Sequence, residues 1–425
     1  MTESNPDQVR KRRVFYIPGY DPIHPRRYRE LYRKEGADQA RISGYDIELT
    51  PKKAKGGAYG WHVEAQIDGA SVTADVEVLV WSDIVRDSMS TSIPATYLQL
   101  IRTAWTYIAS GTLRRLMRLR KGPVIAALYP VAMLLAQAVF AGLVFWLVSW
   151  VFSFAGELIE RQIWGDRILT PTSFPTVILS WLAGLICMVL VLRWFRQWDS
   201  KFFAYYLMHD YAYSARLNGA NPPELEARMG EFQALIAEAL MADVDEVLVV
   251  GHSSGAHLGV SVLADLIRAG QVPDDGPVLG FLSLGQVVPM VSFLRDAHRL
   301  RADLLYLSAR DELAWVDVSA PGDGCAFALC DPVSVSGVAP EDKKWPLVFS
   351  AAFTQTLTPK RWAELRWKFF RLHFQYLCAF DAPGTYDYFR ITAGEQTLRA
   401  RYADQVPSRS RIDYPVSKYT SVVPR

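Results

Sequence analysis

Residues Asp245–Gly270 read DEVLVVGHSSGAHLGVSVLADLIRAG. Val247–Val250 is an apolar, β-branched run of the kind needed by a strand buried on both faces. From Ala256 onward the apolar residues recur at helical spacing. Between the two lies Gly251-His252-Ser253-Ser254-Gly255, a G-x-S-x-G pattern at a strand-to-helix junction. A serine on so sharp a turn has a strained backbone, and side chains on the flanking residues would collide. The turn lifts its Oγ clear of the sheet and aims the next amide, that of Ser254, at a developing oxyanion. The start of the helix adds a favourable dipole there. His252 is read as a packing residue, because adjacent residues on an elbow point apart.

Strand and helix patterns alternate outward from this stretch. Arg13–Ile17, Val76–Trp81, Val278–Leu284 and Trp315–Ser319 read as further strands, while 96–119, 199–217, 224–241, 256–269 and 293–308 read as helices. This alternation predicts an α/β fold, a mostly parallel sheet with helices on both faces. Residues 403–425 show no periodicity and are expected to form a loose tail.

The middle of the chain breaks the alternation. No charged residue occurs between Lys121 and Glu157, nor between Arg167 and Arg193. About 20 apolar residues cross a bilayer, so the two runs predict a transmembrane hairpin. The longer run exceeds one span, so either Pro130 kinks it or its first turns lie along the interface. Arg114, Arg115, Arg118, Arg120 and Lys121 precede the first span, and Arg193, Arg196 and Lys201 follow the second. The loop at 157–173 has more acid than base, which places both large flanking segments in the cytoplasm. The expected organisation is a catalytic domain in two parts, 1–121 and 193–402, divided by the hairpin at 122–192.

Composition narrows the classes. Half the residues are apolar and 21% are charged, which excludes a disordered chain. A net charge of +2 gives no argument for a nucleic-acid partner. Cys187, Cys325, Cys330 and Cys378 form no C-x-x-C pair, against a disulfide framework or a cysteine zinc site. The opening MTESNPDQVRKRR has no apolar core, so no secretory leader is expected in it.

The Ser253 elbow, together with a strand at 13–17 that runs into Pro18-Gly19-Tyr20, resembles the α/β-hydrolase superfamily over residues 13–24 and 244–390. Two departures stand out. The hairpin precedes the nucleophile strand instead of following it, and Pro-Gly-Tyr replaces the His-Gly common after the first strand. The resemblance implies a triad in the order serine, acid, histidine. Ser253 is then the nucleophile, and His257, His298 and His373 are the histidines downstream. His257 sits a turn into the elbow helix and His298 precedes any plausible acid, which leaves His373 as the base. It lies opposite the polar stripe Arg361, Glu364, Lys368, Arg371 and Gln375 of an apparent helix. The acid is expected in the SAPGDG loop as Asp323, with Asp311 and Asp331 as rivals. The resemblance also implies a second oxyanion donor, the amide of Tyr20. The expectation is a cytoplasm-facing, membrane-held serine hydrolase acting on an ester or thioester of an amphiphile. No metal or organic cofactor is expected; the partners are the lipid bilayer and an acyl substrate, with no nucleic acid. An acyltransferase on the same triad and a non-catalytic membrane scaffold stand as alternatives.

Overall fold

The computed structural model describes residues 7–52, 58–89, 92–164 and 174–423. Among them eight strands form one sheet: β1 (Lys11–Ile17), β2 (Asp46–Pro51), β3 (Gly60–Ile67), β4 (Ala70–Val78), β5 (Glu246–His252), β6 (Val278–Leu284), β7 (Leu313–Ser319) and β8 (Leu347–Ser350). Their order is β2-β3-β4-β1-β5-β6-β7-β8. From β4 to β8 all neighbours are parallel, and β2, β3 and β4 pair antiparallel at one edge. The fold is therefore α/β with a mixed sheet. The sequence reading lacks β2, β3 and β8. In β2 and β3, Asp46, Glu48, His62, Glu64 and Gln66 interrupt the apolar pattern because this edge has a solvent-facing side.

The period-two alternation of the strands gives the sheet two apolar faces. On one, Val14, Tyr16, Leu248, Val250, Leu282, Leu284, Val316 and Val318 join a core with Tyr28 and Tyr32 of the Arg26–Ser43 helix and Phe389 of the Tyr388–Ala393 helix. On the other, the Ser254–Arg268 helix comes close enough that a β-carbon at Gly259 would stand 2.7 Å from Phe281. At the amino ends of β1 and β5, Arg12 and Glu246 form a fully buried ion pair at 2.5 Å. Arg12 also donates to the carbonyls of Gly394 and Gln396, and Glu246 accepts from the amide of Leu398.

The chain divides into two compact units, one of Met1–Ser88, Trp105–Ala126 and Ser214–Arg425, the other of Met89–Ala104 and Ala127–Tyr213. The first holds the sheet. In the second, two helices, Lys121–Trp164 (its first turns in the first unit) and Phe174–Gln197, are long and apolar enough to cross a membrane. Little of their most apolar stretches is buried, 17% and 11%, unlike core helices. Helix continues through Pro130. Small residues let the pair approach closely: Ser153 donates to Ser180 at 2.9 Å, and a β-carbon at Gly184 would stand 2.2 Å from Ser149 Oγ. The second unit is wider than the hairpin read from hydropathy, because Leu100 packs with Leu134, Tyr205 and Met208.

The end of the chain is not loose. Ile412 exchanges backbone bonds with Leu329 and Asp331, Val416 and Ser417 donate to Val335, and buried Arg301 donates to the Ser421 carbonyl. These bonds run through backbone groups, which leave no side-chain periodicity to read.

Candidate functional site

The site lies at the carboxyl ends of β5, β6 and β7. Ser253 follows β5 directly, with φ 57° and ψ −119°. This is a strained conformation for a residue with a side chain. Contacts on every side enforce it. A β-carbon at Gly255 would stand 2.0 Å from the Ile17 carbonyl oxygen, and one at Gly251 would stand 2.7 Å from the Gly255 oxygen. The Ser253 amide donates to the Leu284 carbonyl at 2.9 Å, tying the elbow to the end of β6. Both glycines of the motif are thus required by close backbone approach.

Ser254 opens the helix, so its N–H has no intrahelical acceptor. The loop after β1 is the other wall: a β-carbon at Gly19 would stand 3.0 Å from Ser253 Cβ and 3.4 Å from its Oγ. Tyr20 follows, buried, its hydroxyl 2.6 Å from Ser88 Oγ and its ring edge-on to Trp81. Trp81 donates to the Pro18 carbonyl, which fixes the loop from behind.

Asp323 and His373 are brought together. The Nδ1–H of His373 donates to the Asp323 carboxylate at 2.7 Å, with both side chains buried. The same carboxylate accepts the Tyr376 hydroxyl at 3.0 Å and the Cys325 amide at 2.9 Å. Burial pushes Asp323 up, but the charge and hydrogen bond of His373, with the Cys325 and Tyr376 donors, outweigh it and hold the carboxyl below its ordinary value. The His373 ring packs against Gly285, whose φ of +52° carries the chain past it, and lies 4.7 Å from the ring of His252. Its Nε2 is buried and has no hydrogen-bond partner among the described residues. No hydrogen bond joins it to Ser253 Oγ.

The other sequence candidates have different work. Asp311 is exposed and ion-paired to Lys344. Asp331 caps the Pro332–Val335 helix and pairs with Lys343. His257 is buried inside the elbow helix, where burial pulls it down to about 4. His298 accepts from Arg301 beside the Ser421 carbonyl. His252 donates from Nε2 to the His373 carbonyl at 3.0 Å, and burial followed by the charge of His373 lowers it to about 3. It is a neutral brace for the backbone of His373.

The expected single helix around His373 is broken into Pro359–Leu365, Phe369–His373 and a 3₁₀ turn at Phe374–Leu377. The last break lets Tyr376 turn toward Asp323. Tyr376, Gly285 and Cys325 were not singled out from sequence. Tyr376 alone left a signal, standing three residues from His373 on the same helical face. Among the described residues, Asp323, Cys325 and His373 present donor atoms within 4.8 Å of one another. An ion there would have to replace the proton that His373 and Asp323 share.

A serine at a strained elbow, a histidine bonded to a buried carboxylate and a glycine loop packed against the serine form a set suited to acyl transfer. No family model, curated protein or solved structure matches this chain.

Proposed function

We propose that this chain is a membrane-anchored serine hydrolase of the α/β-hydrolase type, which cleaves an ester or thioester of an amphiphilic substrate. The observation that carries the reading is the 2.7 Å Asp323–His373 bond beside the strained Ser253 elbow. Ser253 Oγ attacks the acyl carbonyl while His373 Nε2 takes its proton. Asp323 holds the Nδ1–H tautomer and stabilises the imidazolium that forms. The amides of Ser254 and Tyr20 receive the oxyanion. His373 gives that proton to the departing alcohol or thiol as the acyl–oxygen or acyl–sulfur bond breaks. It then takes a proton from the water that attacks the acyl-enzyme and passes it to Ser253 as the carboxylic acid leaves.

Fluorophosphonate labelling of wild type beside Ser253→Ala tests the nucleophile. A label that persists in Ser253→Ala sinks the assignment. Product analysis with water and alcohol acceptors separates hydrolysis from acyl transfer. Absence of label from folded protein favours the non-catalytic scaffold.

The proposed topology has both termini in the cytoplasm and the 157–173 loop across the membrane. Its support is partly geometric. β1 and β5, which flank the hairpin in sequence, are paired in parallel with Val14 opposite Leu248. An even number of crossings must therefore separate them. Reporter fusions at residue 165 and at the C-terminus should give opposite signals, and carbonate at alkaline pH should not extract the protein.

A further inference from the structure

The loop that carries Asp323 is gripped from two sides at Gly324. On one side, a β-carbon at Gly122 would stand 3.4 Å from Gly324 Cα. Gly122 is the second residue of the first membrane helix, and Lys121 is the last charge before Glu157. The next turn already exposes an apolar side chain, Ile125, at 61%. On the other side, a β-carbon at Gly324 would stand 3.2 Å from the ring of Phe369.

Phe369 belongs to an unusual surface segment, Arg366-Trp367-Lys368-Phe369-Phe370-Arg371, which ends two residues before His373. Trp367 is 72% exposed and Phe369 47% exposed. Arg366, Lys368 and Arg371 are exposed as well, and among the described residues none of the three forms an ion pair. The exposed aromatic rings are costly to leave in water, while the interleaved cations, Arg366 lying over the Trp367 ring, are not. They suit the headgroup layer of an anionic bilayer, where the rings enter the interface and the cations meet phosphate.

We infer that Arg366–Arg371 docks on the anionic face of the same bilayer that holds the hairpin, with Trp367 and Phe369 inserted at headgroup depth. The inference rests on the membrane reading and extends it: the base of the membrane helix and the docking segment clamp the acid loop between them. His373, two residues beyond the docked segment, then lies close to the lipid surface, and the substrate is an amphiphile drawn from that leaflet rather than from solution.

The test uses the full chain in nanodiscs with a photoreactive benzoylphenylalanine in place of Trp367. Met241, 77% exposed and just ahead of the amino end of β5, is the control position. Crosslinking to lipid is expected at 367 and not at 241, and more strongly with phosphatidylglycerol than with phosphatidylcholine alone. The triple variant Arg366→Glu, Lys368→Glu, Arg371→Glu should lower crosslinking at 367 by tenfold or more, since each cation near an anionic leaflet contributes about fivefold. Absent crosslinking at 367 in carbonate-resistant protein overturns the inference, as does equal crosslinking at both positions. The readout does not pass through Ser253. Lipid crosslinking without fluorophosphonate labelling would therefore sink the hydrolase and leave the docking surface standing.

Discussion

The Tyr376 hydroxyl donates to Asp323 at 3.0 Å while it accepts the Ala320 amide, also at 3.0 Å. It thereby links the end of β7 to the carboxylate that orients His373. Burial and the neighbouring Asp323 charge keep Tyr376 protonated, far above its ordinary value, so it stays a donor across the working range. Tyr376→Phe removes one of three donors to Asp323 and strands the Ala320 amide. The expected cost is about 1–3 kcal/mol of stability, on the scale of an unpaired buried group. Activity should fall less than in Asp323→Asn, because the His373 bond survives. Melting curves and labelling rates on the same preparations separate the two effects.

Asp317, on β7, accepts the Ser283 hydroxyl at 2.6 Å, and its second oxygen has no partner among the described residues. Burial pushes its carboxyl up to about 8. The folded chain then keeps a proton that the unfolded chain releases near the ordinary carboxylate value of about 4. The folded value is the higher one, so this group's contribution becomes steadily less favourable between about pH 4 and pH 8 and is level above that. Asp317→Asn cannot ionise and should be increasingly more stable than wild type as pH rises through that window. Thermal unfolding from pH 5 to 9 reads it; a constant offset between the two proteins would mean that Asp317 is ionised when folded.

The Arg12–Glu246 pair makes a different demand. Arg12→Met leaves a buried carboxylate uncompensated, and the expected loss is about 3–5 kcal/mol. Adding Glu246→Gln removes that charge while keeping an acceptor for the Leu398 amide. The double variant should recover a substantial part of the loss. Denaturant midpoints for the two variants check it, and equal midpoints would show that the pair is not coupled.

Much of this architecture is legible because it is carried by side-chain pattern. β5 is buried at every position and reads as an unbroken apolar run, and Gly251 and Gly255 mark points where backbones nearly touch. The pairing of Asp323 with His373 is anticipated by the acid-before-histidine order that the hydrolase resemblance implies and by the Gly/Pro loop around Asp323. What the sequence hides is held by the backbone or by long-range pairing. Tail residues 412–421 dock through amides and carbonyls, and β2 and β3 pair at an edge where polar residues dilute the signal. The breaks around His373 are hidden for another reason: its polar stripe keeps helical spacing across both interruptions. A periodic pattern reports which face is buried, not whether the helix is continuous.

The triad assignment makes the sharpest prediction. Asp323→Asn preserves size but lets the wrong tautomer of His373 face the acid, and serine-protease precedent puts the loss at up to about 10⁴-fold in turnover. Ser253→Ala and His373→Ala should each cost about as much as both together, because the residues act as one unit. Asp323 is held below the usual carboxylate range, so it stays ionised beside His373 across the neutral range. Asp311→Asn serves as the control: it removes an exposed partner of Lys344 and should leave turnover unchanged. The measurements are fluorophosphonate labelling rates and hydrolysis of short p-nitrophenyl esters, after membrane insertion of each variant has been verified. Full activity in folded His373→Ala would remove the base from this scheme. Loss in Asp311→Asn with Asp323→Asn silent would keep the elbow and the base but move the acid, against the 2.7 Å bond that ties Asp323 to His373.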